Sequence, residues 1–211
     1  MLALAAATAL VVLSHLVPMW PGARDRLVAG LGRRPYLMAH SVLSLVALGL
    51  LGWAWTAAEP ALSPLEPGLL PKRAAVLLMP LAFALVAGRL MARRRAPMPA
   101  GLFTLTATPG SLGMLLWALL HVAAASDARA LVVFSGFALI ALFSLARNAR
   151  ALPPELAEVG WVPLRAVLAG RVRPDLGGLL PPLAAGTVAW VALLYAHPLL
   201  IGPDPLAYVT P

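Results

Sequence analysis

Six apolar stretches, each close to the thickness of a bilayer, leave this chain few ways to fold. They cover residues 1–19, 36–57, 74–91, 109–125, 130–146 and 182–201. A helix needs about 20 apolar residues to cross the hydrocarbon core, with about 17 as a lower limit. Backbone N–H and C=O groups find no water there, so each stretch must satisfy its own hydrogen bonds as a helix. Of the 211 residues only 11% are charged, against about a quarter in soluble domains. The expected fold is all-α, a polytopic membrane helix bundle of about six transmembrane helices in a single domain over residues 1–211. The fourth stretch is the shortest. It works as a span if Thr108 caps it and Pro109 takes the first helical position, where a missing N–H costs nothing. Ser126 and Asp127 then form a tight turn, Asp127 caps the fifth helix, and spans four and five make an antiparallel hairpin. The first stretch has no basic leader and no convincing cleavage site, so a retained helix is expected rather than a secretory signal.

Arginines set the orientation. Arg24, Arg26, Arg33 and Arg34 follow the first span, and Arg89, Arg93, Arg94 and Arg95 surround the end of the third. Arg147, Arg150, Arg165, Arg171 and Arg173 follow the fifth, while the opposite loops carry Lys72, Arg73 and Arg129. Thirteen against three is a strong positive-inside bias. Both termini are therefore expected in the periplasm, with the protein in a bacterial inner membrane. The net charge of +8 is scattered through these short loops, which points to the lipid bilayer as partner and away from nucleic acid. Lys72 is the only lysine among sixteen basic residues, a bias that reads as GC-rich bacterial codon usage. The connector at about residues 148–180 is long and too apolar for an ordinary linker. Leu156, Val159, Leu164, Val167 and Leu168 accompany Glu155, Glu158 and Arg165 around Trp161. Two short helices, over 153–160 and 163–170, are expected to lie on the cytoplasmic interface. No internal repeat supports an inverted-repeat transporter.

The chemistry available to the spans is imidazole chemistry. His15, His40, His121 and His197 all lie in or at the edge of an apolar stretch, where ionisable side chains are costly and point to function. Cysteine is absent, excluding disulfides, thiolate metal sites and cysteine nucleophiles. The acidic residues are all in loops, and no HExxH, GxSxG or phosphate-binding glycine loop is present. In span four Gly110, Met114, Trp117 and His121 share a face, and Trp117 is too central for an interfacial aromatic belt. Gly110 and Gly113 admit either a neighbouring backbone or a flat ligand. Span one places Thr8, Val11, Val12 and His15 on one face. A neutral imidazole binds iron through one ring nitrogen while the other donates to a second acceptor. Two such histidines from different helices suit six-coordinate b-type haem; the same side chains serve equally as ties between helices. By depth, His15 pairs as readily with His40 as with His121, and His197, before Pro198, is expected at the interface.

Two segments carry a family resemblance. Residues 14–45 read SHLVPMWPGARDRLVAGLGRRPYLMAHSVLSL, and residues 114–131 read MLLWALLHVAAASDARAL. They resemble the NnrU family of multi-spanning bacterial membrane proteins associated with denitrification. Its features include a helix-one histidine before a proline, an LG-x-RPY turn into an S-x-x-SL helix, and an LWAxxH helix before an Asp-containing turn. The likeness covers most of the chain to about Arg150. The family extends distantly to the plant 15-cis-zeta-carotene isomerase, a haem b enzyme whose proposed ligands match His15 and His121. The resemblance thus implies haem b held by His15 and His121, with Trp117, Gly110 and Gly113 beside it and His40 as the alternative ligand. It implies a role in nitric oxide or nitrite metabolism with a nitrogen-oxide pathway partner. The alternatives are cis–trans isomerisation of a poly-cis carotenoid, with a polyene bound, or a non-enzymatic scaffold. The chain also departs from the pattern. Relatives carry Arg-His-Pro before the LWAxxH helix, where this chain has Ala107, Thr108 and Pro109. His40 stands where a non-basic residue is expected.

Overall fold

The computed structural model describes residues 1–20, 22–92 and 99–209. Arg93, Arg94 and Arg95, three of the orienting arginines, lie outside the described residues. Eight α-helices appear among the described residues: α1 (Leu2–Leu16), α2 (Ala23–Leu31), α3 (Arg33–Ala57), α4 (Leu69–Met91), α5 (Pro109–Ala124), α6 (Ala128–Arg150), α7 (Arg165–Leu168) and α8 (Leu176–Leu200). A 3₁₀ turn, Val17–Met19, extends α1 to span length. That segment, α3, α4, α6 and α8 are long and apolar enough to cross a membrane. The sixth apolar helix, α5, has 16 residues and so rises about 24 Å. The chain is an all-α bundle of the membrane type.

The helices start and stop further out than hydropathy suggests. α3 begins with Arg33 and Arg34, α4 takes in Lys72 and Arg73, and α6 continues through Arg147 and Arg150. A long basic side chain reaches toward water from a helical backbone, so a charge interrupts the apolar pattern without ending the hydrogen-bond ladder. The unexpected α2 lies between Gly22 and Gly32, whose φ values of +71° and +83° break the chain on either side.

Each long helix packs chiefly against the next in the spatial order α3, α1, α6, α5, α4, α8. The contacts are made by small residues. Leu4, Ala7 and Val11 of α1 meet Ala47, Leu51 and Ala54 of α3 and Val133 of α6 in the main core cluster. Where α6 crosses α1, Gly136 lies against the Thr8 methyl. Glycine and alanine bring backbones close enough for dispersion to hold helices together where lipid removes the hydrophobic drive. Leu45, Leu77, Val188 and Leu199 point outward and are exposed, an apolar belt that suits a bilayer and not water.

The α5–α6 hairpin turns at Ser126 and Asp127. The Asp127 carboxylate caps α6, accepting from the Arg129 N–H at 2.8 Å, as expected. The Thr108 cap does not form. Pro109 opens α5, but the Thr108 side chain makes no capping bond, its ψ of +48° lying outside the extended region from which caps reach back.

The connector over residues 148–180 holds one short helical piece in each expected range, a 3₁₀ turn, Pro154–Leu156, and the four-residue α7, both shorter than expected. Its hydrogen bonds go to another segment. Ala107 N–H donates to Gly160 O (2.8 Å), Leu164 N–H to Leu105 O (2.8 Å), and the Thr106 hydroxyl to Trp161 O (2.9 Å). Leu156 packs on Phe103 and Ala107. The apolar residues thus serve a cap over the end of the bundle, while Trp161, Leu164 and Leu168 stay exposed. Asp175 fastens this cap to α8: its carboxylate accepts from Gly101 N–H (2.8 Å) and Gly178 N–H (3.0 Å).

Candidate functional site

At the end of the bundle away from this cap, a cavity of about 470 Å³ opens between α3, α4, α5, α6 and α8. Such a volume is in the range of small-molecule pockets. His121 is the polar centre of its wall. Its ring lies flat on Phe134 (centroids 4.0 Å, planes 14° apart) and 4.9 Å from Trp117. Trp117 in turn meets Phe134 and Phe137 edge-on at 5.1 and 5.5 Å. The one-turn spacing of Trp117 and His121 on α5, opposite Phe134 and Phe137 on α6, builds this cluster.

Histidine tautomers follow from the acceptors. His121 Nδ1 lies 2.8 Å from Trp117 O, and His197 Nδ1 lies 2.6 Å from Pro203 O. A carbonyl oxygen only accepts, so Nδ1 carries a proton in both rings. Both histidines line the cavity. His197, expected at the interface, comes here because α8 presents Trp190, Leu193, Leu194 and His197 along one stripe. Their three-, four- and seven-residue spacing was the signal in the sequence.

The rim is charged. Arg129 donates to Asp127 Oδ2 through Nη2 (2.6 Å) and Nε (2.9 Å), and to Ala58 O through Nη1 (3.0 Å). Its guanidinium also sits 4.9 Å from the Trp55 ring centroid. Partial burial pushes the Asp127 carboxyl up, but hydrogen bonds and charge from Arg129 outweigh it and hold the group below its ordinary value. Lys72 lies over Tyr208 at 5.2 Å and forms no ion pair among the described residues.

The other expected site residues lie elsewhere. His15 Nδ1 bonds Val11 O at 2.9 Å, and its ring meets His40 edge-on at 5.8 Å, with His40 stacked on Tyr36. Thr8 sits beside Gly136, so His15 falls near residue 143 of α6, whereas His121 stacks on Phe134. Nine helical residues, about 13 Å, separate the two levels. Gly110 and Gly113 face α4. A Cβ on Gly113 would stand 2.7 Å from Ala82 O, and one on Gly110 2.7 Å from the Arg89 stem. Gly113 thus admits the backbone of α4, and Gly110 the Arg89 stem while also lining a cavity at that end of α5. Among the described residues no group of three metal-binding side chains occurs.

No curated protein and no solved structure matches the chain. The model for the family described as NnrU protein matches residues 3–205, and the chain belongs to the NnrU family.

Proposed function

We propose that this protein binds haem b in the His121 cavity and supports nitrogen-oxide metabolism from the inner membrane, with both termini on the periplasmic side. The supporting observation is the His121 imidazole. Its Nδ1 proton is held by Trp117 O, which leaves Nε2 free in an aromatic-walled cavity. That is the state of an axial haem ligand. Flat walls from Trp117 and Phe134 suit a planar macrocycle, and Lys72 and Arg129 at the rim suit its propionate carboxylates. His197 is the second ligand available inside the same cavity. His15, implied by resemblance, stands at another level beside His40 and is the competing assignment. Held by two histidines, haem b would supply one-electron chemistry, and would take a small gaseous ligand only where one histidine gives way.

The test is a reduced-minus-oxidised absorption spectrum of detergent-purified protein from cells supplied with haem precursor. His121→Ala is expected to abolish a b-type signal. Joint loss in His197→Ala assigns the cavity pair, and joint loss in His15→Ala assigns the implied one. A colourless wild type, or a signal indifferent to His121→Ala, refutes the proposal.

A further inference from the structure

A second cavity, of about 660 Å³, opens at the capped end of the bundle, around the N-terminus of α5. It shares no histidine with the first. Thr108 lines it and is 5% exposed, and its hydroxyl has no hydrogen-bond partner among the described residues. A buried hydroxyl without a partner is costly and calls for a missing group. Beside it, Asn148 Nδ2 donates to Ser111 Oγ at 2.8 Å, and Ser111 Oγ lies 3.1 Å from Ser144 Oγ. Two hydroxyls joined by one bond leave one O–H proton free. α5 begins here without a side-chain cap; Pro109 has no N–H and Leu112 N–H donates to Thr108 O, so the Gly110 and Ser111 N–H groups are the donors left in its first turn. The polar part of the cavity is thus rich in donors.

Charge and walls narrow the ligand. Among the described residues that line the cavity, Arg89 and Glu155 carry charge, one of each sign, so these two select no ion. The remaining wall is apolar and partly aromatic, with Phe103, Met114, Phe137 and Ile140. A matching ligand has a neutral head that only accepts hydrogen bonds, on an apolar body that reaches the protein through lipid. We infer that this cavity binds a membrane quinone, one carbonyl oxygen taking the Ser111–Ser144 hydroxyl proton and the other that of Thr108, whose side chain turns out of its closed position to meet it. An alcohol head would bring a donor where donors are in surplus. A carboxylate head would lose at Glu155 what it gained at Arg89, so charge gives it no advantage over a neutral acceptor.

The experiment is equilibrium binding of radiolabelled decylubiquinone to the full chain in lipid nanodiscs, corrected for partitioning into empty discs. Saturable binding is expected, weakened roughly fivefold by Thr108→Val and by Ser144→Ala, each removing one donor. His121→Ala is expected to bind as wild type does, which separates this site from the histidine cavity. Thr108→Val deletes a hydroxyl that has no partner, so its melting temperature should hold or rise; Ser144→Ala gives an independent reading if it does not. Absence of saturable binding overturns the inference, as does equal affinity in both variants. Tighter binding of oleate, with displacement of decylubiquinone, overturns the neutral head.

Discussion

Replacing Gly186 with alanine tests the packing that holds α8 and carries His197 to its cavity. Gly186 faces the backbone of α4. A methyl group there would stand 2.6 Å from Ala84 Cα and 2.9 Å from the Phe83 carbonyl carbon, and would also press on Ala84 N. Ordinary contact begins at 3.4 Å, so α4 and α8 must part by at least about 0.8 Å, enough to forfeit a quarter or more of each nearby dispersion contact. A backbone cannot swing aside as a side chain does. Overpacking of this kind costs about 1–3 kcal/mol, offset by up to about 1 kcal/mol from the better helix propensity of alanine. The net expectation is a loss of about 1–2 kcal/mol. Gly52 on α3 is the control, because nothing lies within 4 Å of a Cβ placed there. Gly52→Ala should therefore gain up to about 1 kcal/mol. Thermal unfolding in one detergent should separate the two variants by roughly 4–10 °C, with Gly186→Ala the less stable. Equal melting temperatures, or a Gly186→Ala variant above wild type, would refute the close approach of α4 and α8.

Three further outcomes follow from the loops. Arg129→Gln removes bonds to Asp127 and to the Ala58 carbonyl and should cost about 2 kcal/mol by chemical unfolding in detergent; a change within error would mean that these bonds contribute nothing net. The Asp127 and Asp175 carboxyls both lie below their ordinary value in the fold, Asp175 through the Gly178 and Gly101 N–H groups. Their contribution is present above about pH 4 and lost as pH falls through the lowered folded values; a melting profile should drop in that acid range, and less steeply there in Asp127→Asn. Asp175→Asn should loosen the cap, speeding amide exchange at 101–106 and 160–165 by roughly tenfold while leaving α1 and α3 unchanged; uniform exchange across the chain would argue against a local fastener.

What the sequence made legible divides along physical lines. The spans were readable because lipid imposes one solution on any long apolar stretch, and the Asp127 cap because its turn is local. α2 carried its signals, Gly22, Gly32 and Asp25 in its first turn, but they lay inside an arginine-rich loop that charge counting treated as a connector. Faces were readable and partners were not. Three- and four-residue spacing put Trp117 with His121, yet it says nothing about which helix stands opposite. The spatial order α3, α1, α6, α5, α4, α8 decides that, setting His15 against His40 and His121 against Phe134. In the long connector Leu156 is buried against Phe103 and Ala107, in a segment with no pattern of its own, while Trp161, Leu164 and Leu168 stay exposed. Thr108 shows the limit most directly. Residue type gives it the capacity to cap α5, and the sequence reading assigned it that use; the backbone at residue 108 then takes a conformation from which the bond is not made. A side chain's chemistry is written in the sequence, but whether its hydrogen bond is already satisfied depends on the packing around it, and a buried hydroxyl left without a partner marks a place where a ligand has something to complete.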